Sequence, residues 1–321
     1  MKRNCCGIFV LMLGSLAAAG ALAQAFPVKP VRLVVAFPPG GATDTFSRVA
    51  AAEMTKTLGQ QVIVENRPGA GTTIAAEYVA KSAPDGYTLL LTDLSTHTIT
   101  PSIYAKLGYN PLRDLVAVAP LSASPLIMVA HPSVGIKSAK DLIALAKKHP
   151  GITCGNAGIG TVTHMAAEKF RWRAGIDLTA VNYKGGATST ISLLTGEIAL
   201  IVTTIPAALE YVRANRLVAI GLTAEKRSAL LPEIPALGET IKGVEAAVIA
   251  GALAPAGTPR NVIERLNAEF ARSNDSPKAK EMFAVNAAEA MKASPEAMQK
   301  SLEENVKTWA AVVKATGVKP Q

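Results

Sequence analysis

The regular alternation of apolar runs and helical patterns in the first third of the chain restricts its fold more than any other feature. Residues 31–37 are typical of a buried strand, and the apolar positions of residues 43–58 lie near one face of a helix. Two further strands are predicted at 61–65 and 87–92, with a helix at 74–82 between them. Strands that alternate with helices in this way predict a parallel sheet with right-handed crossovers.

The segment between the first predicted strand and its helix is FPPGGATD, residues 37–44, called here the first segment. The first N–H groups of a helix have no partner within the helix, so an anion can bind there. Because the segment contains no Lys, Arg or His, an anion would be held mainly by backbone amides and hydroxyls. This pattern indicates recognition of an anion rather than bond-breaking chemistry.

Three more segments rich in glycine and hydroxyl groups follow predicted strands. The second segment is CGNAGIGTVTH at 154–164, the third is NYKGGATS at 182–189, and the fourth is DLSTHTIT at 93–100. The second and third lead into helices, whereas the fourth is predicted as a loop. Since ligands of open α/β sheets bind at the carboxyl ends of the strands, these segments together predict a binding cleft.

The pattern changes after the third strand, which indicates a second unit. The remaining predicted elements are strands at 115–120 and 125–131, a helix at 138–149, a new strand–helix series from 152 to about 224, an apolar run at 243–254, and helices at 259–273 and 294–316.

We interpret the chain as an α/β protein with two lobes, each a mostly parallel sheet flanked by helices. The first lobe would consist of residues 26–124 and 250–321, and the second of residues 125–249. The chain would cross between the lobes twice, which makes a hinge with a cleft between them.

The first 25 residues are predicted to be a secretory signal peptide, so the mature protein is expected in the periplasm. Lys2 and Arg3 precede an apolar core at 7–22, and A-x-A cleavage patterns end at Ala23 and Ala25. An uncleaved anchor is the alternative, but the core is short and rich in small residues. No later apolar run is long enough to span a bilayer.

Cysteine content and charge exclude several classes of protein. Cys5 and Cys6 leave with the signal peptide, so Cys154 has no internal disulfide partner and is expected to be a small buried residue. Removal of Lys2 and Arg3 lowers the formal net charge from +9 to +7. The remaining cations are scattered, without a cluster interleaved with aromatics, so nucleic acid is not an expected partner. We expect a monomer with no cofactor.

Eight motifs in the mature chain resemble one known family. In order they are FPPGGATD, VENRPGAG, SAPDGYTLLL, AKLGYNPLRDL, AGIGTVTHMAAEKF, VNYKGGATS, LLPEIPALGE and APAGTP. From about residue 26 to the end, the chain is similar to the extracytoplasmic receptors of tripartite tricarboxylate transporters, the Bug-type receptors. This resemblance implies a two-lobed periplasmic-binding-protein ("Venus flytrap") fold. It also implies binding of a small carboxylate, such as a di- or tricarboxylate, an amino acid or a nicotinate-like acid, and its delivery to membrane transporter subunits.

The resemblance also implies which residues bind the ligand. Matching positions in the first, second and third segments are Phe37, Pro39, Gly40, Gly41, Ala42, Thr43, Asp44, Gly158, Gly160, Thr161, His164, Tyr183, Gly185 and Ala187. Ser95 and Thr96 are added from the fourth segment as candidate hydroxyl contacts. Two interpretations stay open for Asp44, a helix N-terminal acid or a ligand contact, and likewise for His164, a packed residue or a ligand contact.

The sequence departs from the family pattern at two places. In IVTTIPAA, residues 201–208, Thr203 and Thr204 stand where family members usually carry an Asp. They are predicted to line the pocket, and the missing carboxylate argues against an amine-bearing ligand. In VIAGALAPAGTP, residues 248–259, the chain lacks a Trp common in the family, so this side of the pocket is expected to be roomier or more apolar.

Catalysis and signalling are the competing functions. Ser95 with His97, or Thr163 with His164, could suggest a nucleophile and base, but such close neighbours rarely align and no G-x-S-x-G motif is present. The four histidines lack metal-ligand spacing, and no segment ends like a P-loop. We therefore predict a receptor without enzymatic activity or a bound metal. A receptor that reports to a membrane kinase remains open beside transport.

Overall fold

The first three strands form a parallel sheet whose central strands are covered on both faces. The structure, a computed structural model, describes residues 26–319, so the predicted signal peptide lies outside the described residues. β1 (Val31–Val35), α1 (Ala42–Leu58), β2 (Val62–Asn66), α2 (Thr73–Ala80) and β3 (Thr88–Asp93) follow in order, with β1 between β2 and β3. All of β3 is buried, as expected for a central strand of such a sheet. The strands and helices predicted here are confirmed.

The fourth segment is a helix, and its prediction as a loop was wrong. α3 (Leu94–Ile103) begins directly after β3, and both carboxylate oxygens of Asp93 cap its first turn. Its threonines and Pro101 disfavour a helix in an isolated peptide. Burial of Ile99 and Ile103, neither of them exposed, outweighs that preference.

One long strand, β4 (Leu115–Ala130), replaces the two strands predicted at 115–120 and 125–131. Pro120 and Pro125 suggested a break because proline cannot donate to a sheet ladder. The strand continues past Pro120 through a shift of register, which is how a bulge accommodates a residue that cannot pair. After β4 comes α4 (Ala139–Lys148), with Ser138 as its N-cap, close to the predicted helix at 138–149.

A second strand–helix series repeats the order of the first. Its elements are β5 (Ile152–Asn156), α5 (Val162–Ala174), β6 (Leu178–Asn182), α6 (Gly186–Leu194), β7 (Leu200–Thr204), α7 (Ile205–Arg213) and β8 (Val218–Leu222). β5 pairs in parallel with β6 and β7, so the parallel sheet predicted for the second lobe is present.

The last part of the chain returns to the first sheet. It consists of β9 (Ala247–Pro255), α8 (Arg260–Asn274), α9 (Pro277–Val285), β10 (Glu289–Ala290) and α10 (Pro295–Thr316). α8 and α10 lie within one residue of the predicted helices, whereas α9 and β10 were not predicted.

The two sheets meet along β4. Its first half pairs antiparallel with β9 as far as Pro125, and from Leu126 onward it pairs antiparallel with β7. The strand order is β2-β1-β3-β9-β4-β7-β5-β6. The fold is therefore the predicted two-lobed α/β architecture with hinge crossings, and the hinge strands make each sheet mixed.

The C-terminal helix packs on both lobes. Near its start, Met298 and Leu302 belong to an apolar cluster of the first lobe. Near its end, Trp309 and Val313 belong to the cluster that surrounds β5 and α5 in the second lobe. The Thr316 carbonyl also accepts a hydrogen bond of 2.7 Å from an Arg171 guanidinium nitrogen, so α10 links the lobes in addition to the hinge strands.

Candidate functional site

The N-terminus of α1 is open, as the first segment predicted. Gly41 is the N-cap and offers no side chain to the helix amides. Among the hydrogen bonds of residues 26–319, none engages the N–H groups of Ala42, Thr43 or Asp44. Pro39 and Gly41 are exposed. These amides therefore point their partial positive charge at an accessible place beside the carboxyl end of β1.

Asp44 holds the first segment in shape. Its carboxylate accepts hydrogen bonds of 2.9 Å from Gly40 N–H and from Arg48 Nε, and one of 2.8 Å from Asn66 Nδ2. Burial would raise the pKa of Asp44, but the hydrogen bonds from Arg48, Gly40 and Asn66 outweigh it and lower the pKa. With only 2% exposure, Asp44 acts here as an internal anion that fixes the loop. Phe37, half-buried, lies beside it and bonds Asn66 through its carbonyl.

The Asp44 network involves one predicted site residue and adds two others. Gly40 N–H was predicted to donate to a ligand, and in this structure it donates to Asp44. Sequence reasoning missed Arg48 and Asn66. The Asp44–Arg48 spacing of four residues within a helix was a signal for their ion pair, whereas Asn66 comes from another strand and gave no local signal.

The second segment uses most of its own amides. Thr161 caps α5 by accepting from His164 N–H, and Gly158 N–H donates to Asn156 Oδ1 at 2.8 Å. Gly160 N–H donates to His164 Nδ1 at 3.2 Å. Gly158, Gly160 and Thr161 are thus engaged inside their own loop in this structure, and their predicted donation to a ligand is not what the geometry shows.

His164 is a neutral hydrogen-bond donor. Burial lowers its pKa to about 4, and its side chain is 5% exposed. Because Nδ1 accepts from Gly160 N–H, the single ring proton is assigned to Nε2. Of the atoms of His164, Nε2–H is therefore the one that a ligand oxygen could use.

The third segment is open in the same way as the first. α6 begins at Gly186 after the N-cap Gly185, and no side chain caps it. The third segment packs closely against its neighbours. A Cβ atom built onto Gly186 would lie 3.1 Å from Thr203 Oγ1, at the end of β7, and a Cβ atom built onto Gly158 of the second segment would lie 3.2 Å from the Tyr183 carbonyl of the third. The third segment is therefore in contact with both the second segment and the end of β7.

The end of β7 supplies two threonines to this region. Thr203 is buried and its hydroxyl has no partner among residues 26–319. Thr204 is the N-cap residue of α7, but its side chain accepts no capping bond. Together with the exposed Ala187 on α6, they surround the free amides at the start of α6.

Ser95 and Thr96 bind to the protein itself and not to an open cleft. Ser95 Oγ donates to the Ala247 carbonyl at 2.7 Å. Thr96 Oγ1 donates to Asp93 at 2.5 Å and accepts from Val162 N–H at 3.1 Å. Both side chains are buried. α3 turns their hydroxyls toward β9 and α5, so in this structure both are engaged by the protein, and their contact with a ligand stays a prediction.

Contacts across the lobes bring the second segment beside α3. Besides the bond between Thr96 and Val162, Tyr104 Oη donates to the Ile159 carbonyl at 3.3 Å. Among the described residues, no hydrogen bond joins residues 37–44 to residues 125–249. The first segment therefore makes its hydrogen bonds within the first lobe.

The site carries no catalytic constellation within residues 26–319. His97 Nε2 bonds the Pro111 carbonyl at 3.2 Å, and Thr163 Oγ1 accepts from Ala157 N–H, so neither suspected pair is arranged for catalysis. In that range no group of three His, Cys, Asp or Glu side chains could hold a metal ion. Cys154 is buried, and burial raises its pKa to about 12, which leaves it an unreactive thiol.

The described residues also contain no helix of the length and apolar character that a bilayer crossing needs. Two open surface hollows, of about 490 and 250 Å³, are lined by residues of α2 and of the β4–α8 region and lie outside the four segments.

Two α/β lobes on hinge strands, with uncapped helix N-termini at the carboxyl ends of parallel strands, are features of the periplasmic-binding-protein fold. Residues 46–318 match the model of the "Tripartite tricarboxylate transporter family receptor". The chain belongs to this family, the Bug-type receptors, and is a receptor rather than an enzyme.

Individual relatives agree over nearly the whole chain. Protein BugT of Bordetella pertussis (strain Tohama I) is 34% identical over 316 residues, which cover 98% of this chain and 96% of BugT. A solved structure described as an R. palustris protein with adipate is 31% identical, has a TM-score of 0.86, and covers 92% of this chain and 100% of its own. MatC of Rhodopseudomonas palustris with bound malate is 30% identical with a TM-score of 0.83, and covers 90% and 100%.

Proposed function

We propose that this receptor binds a small carboxylate between its lobes and delivers it to the membrane subunits of a tripartite tricarboxylate transporter. The observation that carries this proposal is the uncapped N-terminus of α1, where Ala42, Thr43 and Asp44 present free amides at an exposed loop. Adipate and malate in the structures of two relatives support a carboxylate as the ligand class. The ligand is a di- or tricarboxylate or another aliphatic or aromatic acid.

The ligand is held by donors from both lobes. One carboxylate binds the α1 amides between Phe37 and Pro39, which form the walls. The α6 amides beside Gly185 and His164 Nε2–H donate from the second lobe. The contacts made by both lobes to one ligand favour the closed arrangement, so closure is a shift of population driven by binding.

The division into lobes, the location and the partners complete the proposal. The first lobe comprises residues 26–124 and 250–321 and the second residues 125–249, with α10 also packed on the second. The mature protein is a monomer in the periplasm after removal of residues 1–25. Family membership supports both the location and the membrane partner.

Thermal-shift measurements on the mature protein test the function. The panel contains succinate, adipate, malate, citrate, benzoate and aspartate, with glucose and calcium chloride as non-carboxylate controls. An acid at about 100 times its Kd should raise the Tm by about 5 °C. Because no described carboxylate of the site is free of an internal partner, we expect aspartate to give the smallest shift among the acids. Stabilisation by glucose or calcium alone would contradict the proposal.

A further inference from the structure

We propose that Thr96 is a latch between the lobes, with its hydroxyl oriented by Asp93 so that it holds the first amide of α5. The latch is defined here as the hydrogen bonds that join Asp93, Thr96 and Val162. It concerns the closure of the site proposed above and therefore rests on that lobe arrangement, although its principal test needs no ligand.

The latch is a continuous chain of hydrogen bonds. Val162 N–H donates to Thr96 Oγ1 at 3.1 Å, and Thr96 Oγ1 donates to Asp93 Oδ2 at 2.5 Å. Thr96 belongs to the first lobe and Val162 to the second, 66 residues further along the chain. Thr96 is fully buried and Asp93 is 1% exposed, so water does not compete for these bonds.

Asp93 fixes the direction of the Thr96 hydroxyl. Its carboxylate also accepts from the N–H groups of Ser95 and Ile249, at 3.1 and 2.9 Å. Because every partner of this carboxylate is a donor, the Thr96 proton points toward Asp93 and a lone pair points toward Val162. Ile249 lies on β9, the strand that returns from the second lobe, so the same carboxylate ties the latch to the hinge.

The latch also explains why one amide of α5 is not part of the anion site. Val162 is the first residue of α5, and its N–H would otherwise be free to bind a ligand. In this structure a hydroxyl from the opposite lobe takes that place. Opening of the lobes would leave the Val162 amide without its partner until water replaced it, while Thr96 would still donate to Asp93. The loss of this hydrogen bond favours the closed arrangement.

Interlobe distances measured by electron–electron double resonance on unliganded protein test the latch. Spin labels are attached after Lys56→Cys on α1 and Lys140→Cys on α4, both exposed positions. Native Cys154 is 1% exposed and stays unlabelled. We expect a short-distance population in the parent protein. Thr96→Val should lower the ratio of the short-distance to the long-distance population by about threefold or more, since one neutral hydrogen bond changes an equilibrium constant by that factor.

Two variants separate a latch from a general defect. Thr96→Ser keeps the hydroxyl and should restore the short-distance population. Thr98→Val removes a buried hydroxyl that bonds only within α3, and it should leave the distances unchanged. An identical distance distribution for Thr96→Val and the parent protein, with cooperative unfolding in both, overturns the proposal. So does a parent protein without a short-distance population.

Binding of adipate gives a second measurement. If adipate stabilises the parent protein, Thr96→Val should raise its Kd about three- to tenfold while Thr98→Val leaves it unchanged. An unchanged Kd for Thr96→Val would contradict the latch. If no carboxylate binds, the proposed function fails, and the distance measurement still decides whether the latch exists.

Discussion

The first and second segments have the same order of strand, glycine turn and helix, yet they end differently at the atomic level. In the first segment the N-cap is Gly41 and the following amides are free. In the second segment the N-cap is Thr161, which accepts from His164 N–H, and Val162 N–H is bound by Thr96. One helix N-terminus is available to an anion, whereas two of the first three amides of the other, those of Val162 and His164, are already bound by the protein.

The difference shows that a glycine-rich turn before a helix is only a precondition for an anion site. Side chains decide whether the amides remain free: the N-cap hydroxyl of Thr161 occupies one amide, and Thr96 occupies another. The second segment therefore contributes to the cleft through His164 Nε2–H and through rigidity, whereas the first contributes backbone charge. Substitutions at the two N-caps and at His164 test this comparison of the first and second segments directly.

The largest expected effect comes from Gly41→Asp. The new carboxylate would cap α1 and repel an anionic ligand, since like charges in contact cost several kcal/mol. We expect the Kd of an acid found in the panel to rise by about 1,000-fold, equivalent to ~4 kcal/mol. Isothermal titration calorimetry measures this loss.

The matched control for that substitution is Gly41→Ala, which adds neither a cap nor a charge. Gly41 has a φ of −75° and space for a side chain, so the alanine variant should bind almost as tightly as the parent. Retained affinity in Gly41→Asp would remove the first segment from the site.

The next effect is a pH dependence of the free energy of unfolding to which His164 of the second segment contributes. His164 has a pKa of about 4 in the folded protein against 6.5 when exposed, so the unfolded chain binds more protons between these values. The free energy of unfolding should fall as the pH drops from 6.5 to 4, by up to about 3 kcal/mol for this residue. Denaturant titrations of His164→Asn, whose amide oxygen can still accept from Gly160, should lack this contribution.

His97 and Asp93 also contribute to the pH dependence of the free energy of unfolding, in the parent protein and in the variant alike. Burial lowers the pKa of His97 to about 4 as well, so it adds a loss of stability in the same window. Burial raises the pKa of Asp93 to about 6, against the opposing hydrogen bonds from Thr96, Ile249 and Ser95. The contribution of Asp93 to the free energy of unfolding therefore grows as the pH falls from 6 to 3.8. The His164 effect is the difference between parent and variant, and equal pH profiles for both would refute it.

The smallest expected effect is an opposite response of the two segments at their N-cap positions. Thr161→Ala removes a cap and should lower the free energy of unfolding by about 1 kcal/mol. Gly41→Ser adds a cap and should raise it by a few tenths, ~0.3 kcal/mol, while it weakens ligand binding. Chemical denaturation at pH 7.5 gives both values. If both variants lowered the free energy of unfolding, the two helix N-termini would not differ in their capping, and the comparison would fail.

The sequence predicts the first three strands and the helices between them well because these elements are defined locally. Residues 31–37 are apolar except for Arg32, residues 89–91 are all leucine, and Gly59 ends α1 in the left-handed conformation (φ 67°) that favours glycine. The errors occur where burial and strand pairing decide. α3 is rich in threonine and becomes helical because Asp93 caps it and the core buries it. β4 contains Pro120 and Pro125 and remains one strand because different partners bind its two halves.

The candidate site was predicted at the level of segments and not at the level of hydrogen bonds. Free amides at α1 and α6 follow from glycine at the N-cap and were foreseeable. The hydrogen bonds of Ser95 and Thr96 to the protein were not, because their partners Ala247 and Val162 lie far along the chain. Whether a hydroxyl faces a ligand or the protein depends on tertiary contacts that no local pattern encodes.

The double attachment of α10 has a consequence for the resistance of the protein to proteolysis. The core of the second lobe is built around β5 and α5, but it also includes Trp309 and Val313 from α10. These two residues come much later in the chain than β5 and α5. The core of the second lobe is therefore incomplete until α10 packs on it, and a chain cut before residue 309 would expose part of its apolar surface. Such a surface is a target for chaperones and proteases, so α10 protects the lobe on which it packs from degradation.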